Sequence, residues 1–306
     1  MAAKYNFSLK IRSFHNACCV LTTSFIQKLM NSPHDTTDEL ILPAPARPRS
    51  VLRVRGGRVA EVDDQLVDEV PVALVYNGIS HAVMMSTPAD LEDFALGFSL
   101  SEGIIAGPGQ CYGIEVARDP AGIAVQIEIA SSAFVALKER RRNLTGRTGC
   151  GLCGVDSLDQ VCRPYGALAP AQGFNAAGVR RALAAIGPEQ ALTRLTGAAH
   201  AAAWCGMDGR LHLVREDVGR HNALDKVIGA MARSKARPGD GFFLITSRVS
   251  FEMAQKSAVA GVAALVGMSA PTLAAVELAE HAGMTLLAFA RGEDFVCYTH
   301  AERLAL

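Results

Sequence analysis

From Val51 to Ala130 the pattern of apolar positions falls mostly into short strand-like runs. Val51–Arg55, Arg58–Val62 and Val72–Tyr76 are rich in β-branched residues and predict three strands. Asn77-Gly78 predicts a tight hairpin turn, because both central residues of the favoured turn need positive φ, and Ile79–Met85 is the expected returning strand. Thr87-Pro88-Ala89-Asp90 predicts a helix start. Thr87 can cap, Pro88 lacks only a superfluous N–H, and Asp90 completes a capping box. That helix should run to Glu102, followed by strands at Ile114–Val116 and Ile123–Ile129 around the turn Asp119-Pro120-Ala121-Gly122. Residues 132–142 read as a helix ending in Arg140-Arg141-Arg142.

The rhythm then changes. Asn143–Gly154 holds four glycines and predicts a mobile loop. Residues 175–196 suggest two short helices split at Gly187-Pro188, and Ala201–Gly206 with Arg210–Arg215 a hairpin across Met207-Asp208-Gly209. From Asp217 onward helices and strands alternate: helix 220–233, strand 242–246, helix 250–261, strand 262–267, helix 271–282, strand 284–290 and a final strand 294–299. Such alternation predicts a layered α/β domain. No repeat of fixed period stands out.

Residues 1–38 differ from the rest. Lys4, Lys10, Arg12 and Lys28 precede the first acid, Asp35, and the apolar stretch Ala17–Ile26 is short for a leader and lacks a convincing cleavage site. The composition break favours a translation start at Met30. Residues 43–50, Pro-Ala-Pro-Ala-Arg-Pro-Arg-Ser, read as a linker. The expected organisation is therefore a poorly structured extension and linker over 1–49, a β-rich region over 50–142, a mobile loop over 143–170 and an α/β domain over 171–306.

Composition narrows the class. Half the residues are hydrophobic and 20% are charged, enough to build a sizeable core. No apolar run approaches the roughly 20 residues of a membrane span. Thirty basic residues balance thirty acidic ones, which argues against a general binder of nucleic acid or membrane surface. Arg outnumbers Lys, a bias that genome composition explains for the scattered positions.

The eight cysteines, at 18, 19, 111, 150, 153, 162, 205 and 297, are too sparse for a disulfide scaffold. Cys150 and Cys153 form a Cys-x-x-Cys flanked by glycines, which permit close approach of a partner. Arg140, Arg141, Arg142 and Arg147 are nearby cations that would lower a thiol pKa, so the pair reads as a nucleophilic thiol on a movable arm. An incidental pair beside a solvated helix end is the bland alternative. Structural zinc competes less well: it needs four ligands, and only Cys162, His200 and Cys205 are available as further candidates. A zinc deaminase would need His-x-Glu and a proline before the first cysteine, where Gly149 stands. A thioredoxin-like site would start a helix directly after a strand, unlike this glycine-rich setting.

A second candidate site lies in the α/β half. Glu216-Asp217-Val218-Gly219-Arg220-His221-Asn222 precedes a helix, Thr246-Ser247-Arg248-Val249-Ser250 joins a strand to a helix, and Ser269-Ala270-Pro271-Thr272 does the same. Strand carboxyl ends in open α/β sheets bind ligands, and helix N-termini favour anions. Arg220, His221, Ser247, Arg248, Ser269 and Thr272 are thus candidates for a nucleotide-like or polyphosphate ligand, although Ser and Thr cap helices everywhere. Neither a Walker loop nor Gly-x-Gly-x-x-Gly is present. Asp225 and Lys226 read as an ordinary helix face.

Gly149-Cys150-Gly151-Leu152-Cys153-Gly154, Glu216–Lys226 and Ser269-Ala270-Pro271-Thr272 together resemble the formate dehydrogenase accessory sulfurtransferase family, FdhD. Pro71–Ser86, Phe94–Ile104 and Phe295–His300 are also similar to that family, so the resemblance spans residues 50–303. It implies a cytoplasmic, homodimeric sulfur carrier with a cytidine-deaminase-like α/β core and a smaller β-rich N-terminal region. Such a carrier takes sulfur from a cysteine desulfurase as a cysteine persulfide. It passes the sulfur to Mo-bis(molybdopterin guanine dinucleotide), or the tungsten equivalent, before insertion into formate dehydrogenase. Residue by residue, Cys150 matches the persulfide cysteine and Cys153 its partner. Phe295, Val296, Cys297, Tyr298, Thr299 and His300 match the cofactor-binding stretch. No resident metal, nucleic acid or membrane is implied. A nucleotide-cofactor chaperone without sulfur transfer and a zinc-stabilised binding module are the alternative functions.

Overall fold

The structure, a computed structural model, describes residues 42–143 and 165–306, and Leu42–Leu306 belong to one compact unit. The amino-terminal extension, the glycine-rich loop, Cys150, Cys153 and Cys162 lie outside the described residues.

Strands β1 (Ala46–Arg55) and β2 (Arg58–Val67) pair only with each other, as an antiparallel ribbon. The expected linker is thus corrected: from Ala46 it is strand. Pro48 is tolerated because β1 has one open edge and needs no ladder N–H there.

A four-stranded sheet follows, built from two hairpins, β3 (Val70–Tyr76) with β4 (Ile79–Ser86) and β5 (Cys111–Asp119) with β6 (Gly122–Ile129). Its order is β4-β3-β6-β5, with β3 and β6 parallel at the centre. Asn77 and Gly78 both have positive φ, 45° and 80°, as the turn pattern predicts. Helix α1 (Leu91–Ser101) joins the hairpins and buries Phe94 and Phe98 against Val72, Leu74 and Tyr76. It begins at Leu91 rather than at the expected capping box. Asp90 is left-handed, with φ 53°, and caps with no side-chain bond. Thr87 is taken elsewhere, its Oγ1 accepting the Val218 N–H at 3.1 Å. Helix α2 (Ser131–Asn143) closes this half.

The larger sheet has six strands. Helices α3 (Ala176–Glu189) and α4 (Ala191–Thr196) precede the hairpin β7 (His200–Gly206) and β8 (Leu211–Asp217). Helix α3 runs through Gly187-Pro188, and the break falls at Gln190 instead. Then come α5 (Arg220–Arg233), β9 (Gly241–Ile245), α6 (Phe251–Val259), β10 (Ala264–Gly267), α7 (Leu273–Ala282), β11 (Thr285–Arg291) and β12 (Asp294–Thr299). The order is β12-β11-β10-β9-β7-β8, with β9, β10 and β11 parallel and β7 and β12 antiparallel to their neighbours. Successive residues of β9 serve opposite cores: Phe243 and Ile245 face α5, α6 and α7, whereas Phe242 and Leu244 face α3. Both faces are covered, which is why the strand reads as a continuous apolar run. The chain is therefore a mixed α/β protein.

Helices α1 and α5 join the two sheets at very short range. A Cβ on Gly97 would lie 1.7 Å from the Asp225 carbonyl oxygen, and one on Gly229 would lie 1.9 Å from that of Asp93. Only glycine permits this crossing.

Candidate functional site

Asp217 and Lys226 face each other at 2.7 Å and are wholly buried. Asp217 Oδ2 also accepts from Ser86 Oγ at 2.7 Å and the Thr87 N–H at 3.0 Å, and Oδ1 accepts from the Gly219 N–H and Asn222 Nδ2. This carboxylate ties the end of β4 to the start of α5. A second cluster reaches from α5 across to α6. Lys256 Nζ donates to both oxygens of Asp225 at 2.9 Å, to Ser101 Oγ at 2.8 Å and to Glu102 Oε1 at 2.9 Å. Burial works against the ammonium, but Asp225 and Glu102 more than offset it and push the Lys256 pKa up. Asp225 and Lys226 are therefore not an ordinary helix face: Asp225 holds the α1–α5–α6 junction, and Lys226 ties α5 to the end of β8 and to Thr87 after β4.

With those residues committed inward, Arg220 and His221 are left at the start of α5, half-buried. Strand direction decides what surrounds them. β8 runs parallel to β9, so the ends of β8, β9, β10 and β11 and the start of β7 share one edge of the sheet. This edge collects His200, Arg220, His221, Ser247, Arg248 and Ser269. The loops there are tied laterally. The Val249 N–H donates to Ala270 O, the Thr272 N–H to Val249 O, and the Phe289 N–H to Ser269 O. Ser247 is buried and bonds to Arg248 O, whereas Arg248 is exposed. Thr272 uses its hydroxyl to cap α7.

Helices α5 and α6 have no side-chain cap, so their first N–H groups are open to an anion. Ser250 stands at the cap position of α6, yet its Oγ is buried and unpartnered. Arg220 Nε and His221 Nε2 are likewise buried without a hydrogen bond. These are three of the five such atoms among the described residues. His221 Nε2 has a carboxylate beside it, but Arg220 Nε and Ser250 Oγ have no partner, and since native proteins leave few buried polar atoms unpaired, these two mark a place built to receive something polar. His221 Nε2 sits 2.6 Å from Glu252 Oε2 as an ion-pair contact. Burial, then Arg220 and Lys256, hold the His221 pKa below the ordinary imidazole value, against the pull of Glu252. His200 is lowered in the same way, by burial and then by Arg220.

The carboxy-terminal stretch divides. β12 runs antiparallel to β11, pairing Arg291 with Asp294 and Leu286 with Thr299. Phe295 and Val296 therefore lie toward the site edge, with Arg180 stacked on Phe295 at 5.8 Å. Thr299 and His300 lie at the opposite end. Thr299 Oγ1 donates to Met284 O, and His300 contacts Glu280 O and Glu302. Cys297 is half-buried, with its thiol pKa pushed up by burial, and Tyr298 is exposed.

Two residues at this edge, Glu252 and Phe289, have no counterpart in the sequence reading, whereas Ser250 ends the Thr246–Ser250 junction. Glu252 and Ser250 are placed by α6. Phe289 breaks β11 with φ 51° and is 50% exposed. A bulky residue in the left-handed region is strained, and such strain clusters at functional sites. No sequence signal distinguishes it from an ordinary strand residue. Among the described residues, no group of three or more His, Cys, Asp or Glu side chains could hold a metal, and no helix is long and apolar enough to cross a membrane.

Residues 67–305 match the FdhD/NarQ family. The chain is 51% identical over 275 residues to the sulfur carrier protein FdhD of Bordetella petrii, covering 88% of this chain and 99% of that one. It is 53% identical over 255 residues to the protein of the same name from Cupriavidus necator, covering 83% and 88%. A crystal structure of a protein assigned provisionally as a formate dehydrogenase accessory protein, from Desulfotalea psychrophila, superposes with TM-score 0.65 at 23% identity. It covers 85% of this chain and 99% of that one, and so shares the fold.

Proposed function

Because this chain belongs to the FdhD/NarQ family, we propose that it is a sulfur carrier serving formate dehydrogenase. The persulfide forms on Cys150. Its thiolate attacks the outer sulfur of a persulfide on a cysteine desulfurase, the donor S–S bond breaks, and the donor leaves as a thiolate. Cys153 then attacks the inner sulfur, releasing the outer one as a sulfide equivalent and leaving a Cys150–Cys153 disulfide for reduction, or it relays the sulfur itself. The acceptor is Mo-bis(molybdopterin guanine dinucleotide) or its tungsten counterpart, a substrate rather than a resident group.

The sheet edge is where this account seats the acceptor's guanine-nucleotide phosphates. The observation that supports this is the pair of unpartnered buried atoms, Arg220 Nε and Ser250 Oγ. They sit beside two uncapped helix N-termini. Arg220 supplies planar donors to phosphate, and Ser250 supplies a hydroxyl. Phe289 presents an exposed aromatic face at the same rim.

Binding of a guanine nucleotide tests the seat. Ser250→Ala and Arg220→Met should each weaken GDP by about tenfold, the loss of roughly 1.4 kcal/mol expected when one hydrogen bond to a charged group is removed. Unchanged affinity in both variants, measured by calorimetry, would move the nucleotide site elsewhere.

A further inference from the structure

Below the rim, α5 and α6 face each other through two rungs. His221 and Asp225 stand one turn apart on α5, and Glu252 and Lys256 one turn apart on α6. The lower rung, Asp225 with Lys256, is buried and fully bonded, and Ser101 and Glu102 of the α1 end close it. The upper rung stands nearer solvent. His221 Nε2 meets Glu252 Oε2 at 2.6 Å, and the two side chains keep 29% and 23% of their exposure.

The charged groups that reach the ring are Glu252 and Lys256 from α6 and Arg220 from its own helix. Lys256 is already matched by Asp225 and Glu102. Arg220 also reaches His200 at the start of β7, where Asp217 opposes it. Burial and two cations thus hold the imidazole pKa below its ordinary value, with one carboxylate pulling the other way. A pyrophosphate arriving at the uncapped ends of α5 and α6 adds negative charge on the side of Glu252 and reverses that balance.

Resting on the nucleotide-site reading, we propose that His221 and Glu252 form a proton-linked latch for the pyrophosphate of a guanine-nucleotide ligand. The imidazole is neutral in the free protein and takes one proton from solvent as the ligand docks. Glu252 is the positioning residue that holds the imidazolium.

The sign follows from linkage. The ring's pKa is higher in the complex than in the free protein, so affinity rises as pH falls from the bound value toward the free value. For one proton the rise is at most about tenfold per pH unit. Above the bound value, affinity does not change with pH.

Calorimetry of the full chain with GDP-mannose tests this, because its pyrophosphate is a diester that does not titrate near neutrality. Titrations at about pH 7 in two buffers of different ionisation enthalpy should give uptake of roughly 0.5–1 proton per ligand. His221→Gln should bind with no uptake and a flat pH profile. Glu252→Gln should bind with less than about half the wild-type uptake. NMR titration of His221 in the wild-type protein needs no variant, and should show its pKa rising when GDP-mannose binds. No uptake by the wild type, or equal uptake by His221→Gln, would overturn the latch while leaving the nucleotide site standing. Failure of GDP-mannose to bind at any pH would overturn both.

Discussion

Asp217 brings five donors onto two oxygens: Ser86 Oγ, the Thr87 N–H, Lys226 Nζ, the Gly219 N–H and Asn222 Nδ2. At this scale the motif Asp217–Lys226 separates into two jobs. Asp217, Asn222, Asp225 and Lys226 are buried and structural, while Arg220 and His221 look out at the site edge. Asp217→Asn would leave the Lys226 ammonium buried without a counter-charge, at a cost of about 3–5 kcal/mol. Urea unfolding should show the midpoint fall accordingly, and an unmoved midpoint would mean that the pair is not what holds β4 to α5. The sequence displays all of these charged residues, and their spacing marks the segment as special. It does not show which of them a distant piece of chain closes over. Two of the five donors to Asp217 come from residues 86 and 87, some 130 positions away, so Asp225 and Lys226 read as an ordinary helix face.

Elements were legible wherever their signal is local. The β-rich run Val72–Tyr76, the Asn77-Gly78 turn and the strand–helix rhythm after Asp217 all reappear as strands, turn and layers. The misreadings share one cause, which is tertiary recruitment of a local signal. Thr87 has the chemistry of a cap but accepts from Val218, and α1 starts later. Pro48 of the expected linker fits an edge strand once β2 lies beside it. The glycines of α1 and α5 gave no hint of their use, because a helix glycine reads only as a weak spot. Gly97→Ala should destabilise by about 1–3 kcal/mol or more, since a methyl group 1.7 Å from the Asp225 carbonyl oxygen forces the helices apart. A two-sheet protein held by that crossing should lose cooperativity as well, seen as a broadened thermal transition. An unaltered, equally sharp transition would show that the crossing has slack.

For the whole molecule, the strand order sets where chemistry can gather. Parallel β9, β10 and β11 send their loops to one edge, and β8 delivers Arg220 and His221 to the same edge. The loops carrying Ser247, Arg248 and Ser269 were readable as strand-to-helix junctions before any geometry. The direction of β12 was not, and it carries Thr299 and His300 to the far end while Phe295 and Val296 stay near the rim. Phe289 and Glu252 were invisible for a related reason. A strained φ and a cross-helix neighbour are properties of the folded chain, not of residue type.

The central claim is that Cys150 carries sulfur for formate dehydrogenase, with the sheet edge holding the acceptor. Intact-protein mass spectrometry after incubation with a cysteine desulfurase and cysteine tests it most directly, on wild type, Cys150→Ala and Cys153→Ala. The account predicts one added, reductant-labile sulfur on the wild type and on Cys153→Ala, and none on Cys150→Ala. Equal loading of all three proteins would contradict it and leave a nucleotide-cofactor chaperone, in which the cysteine pair is dispensable, as the reading of this chain.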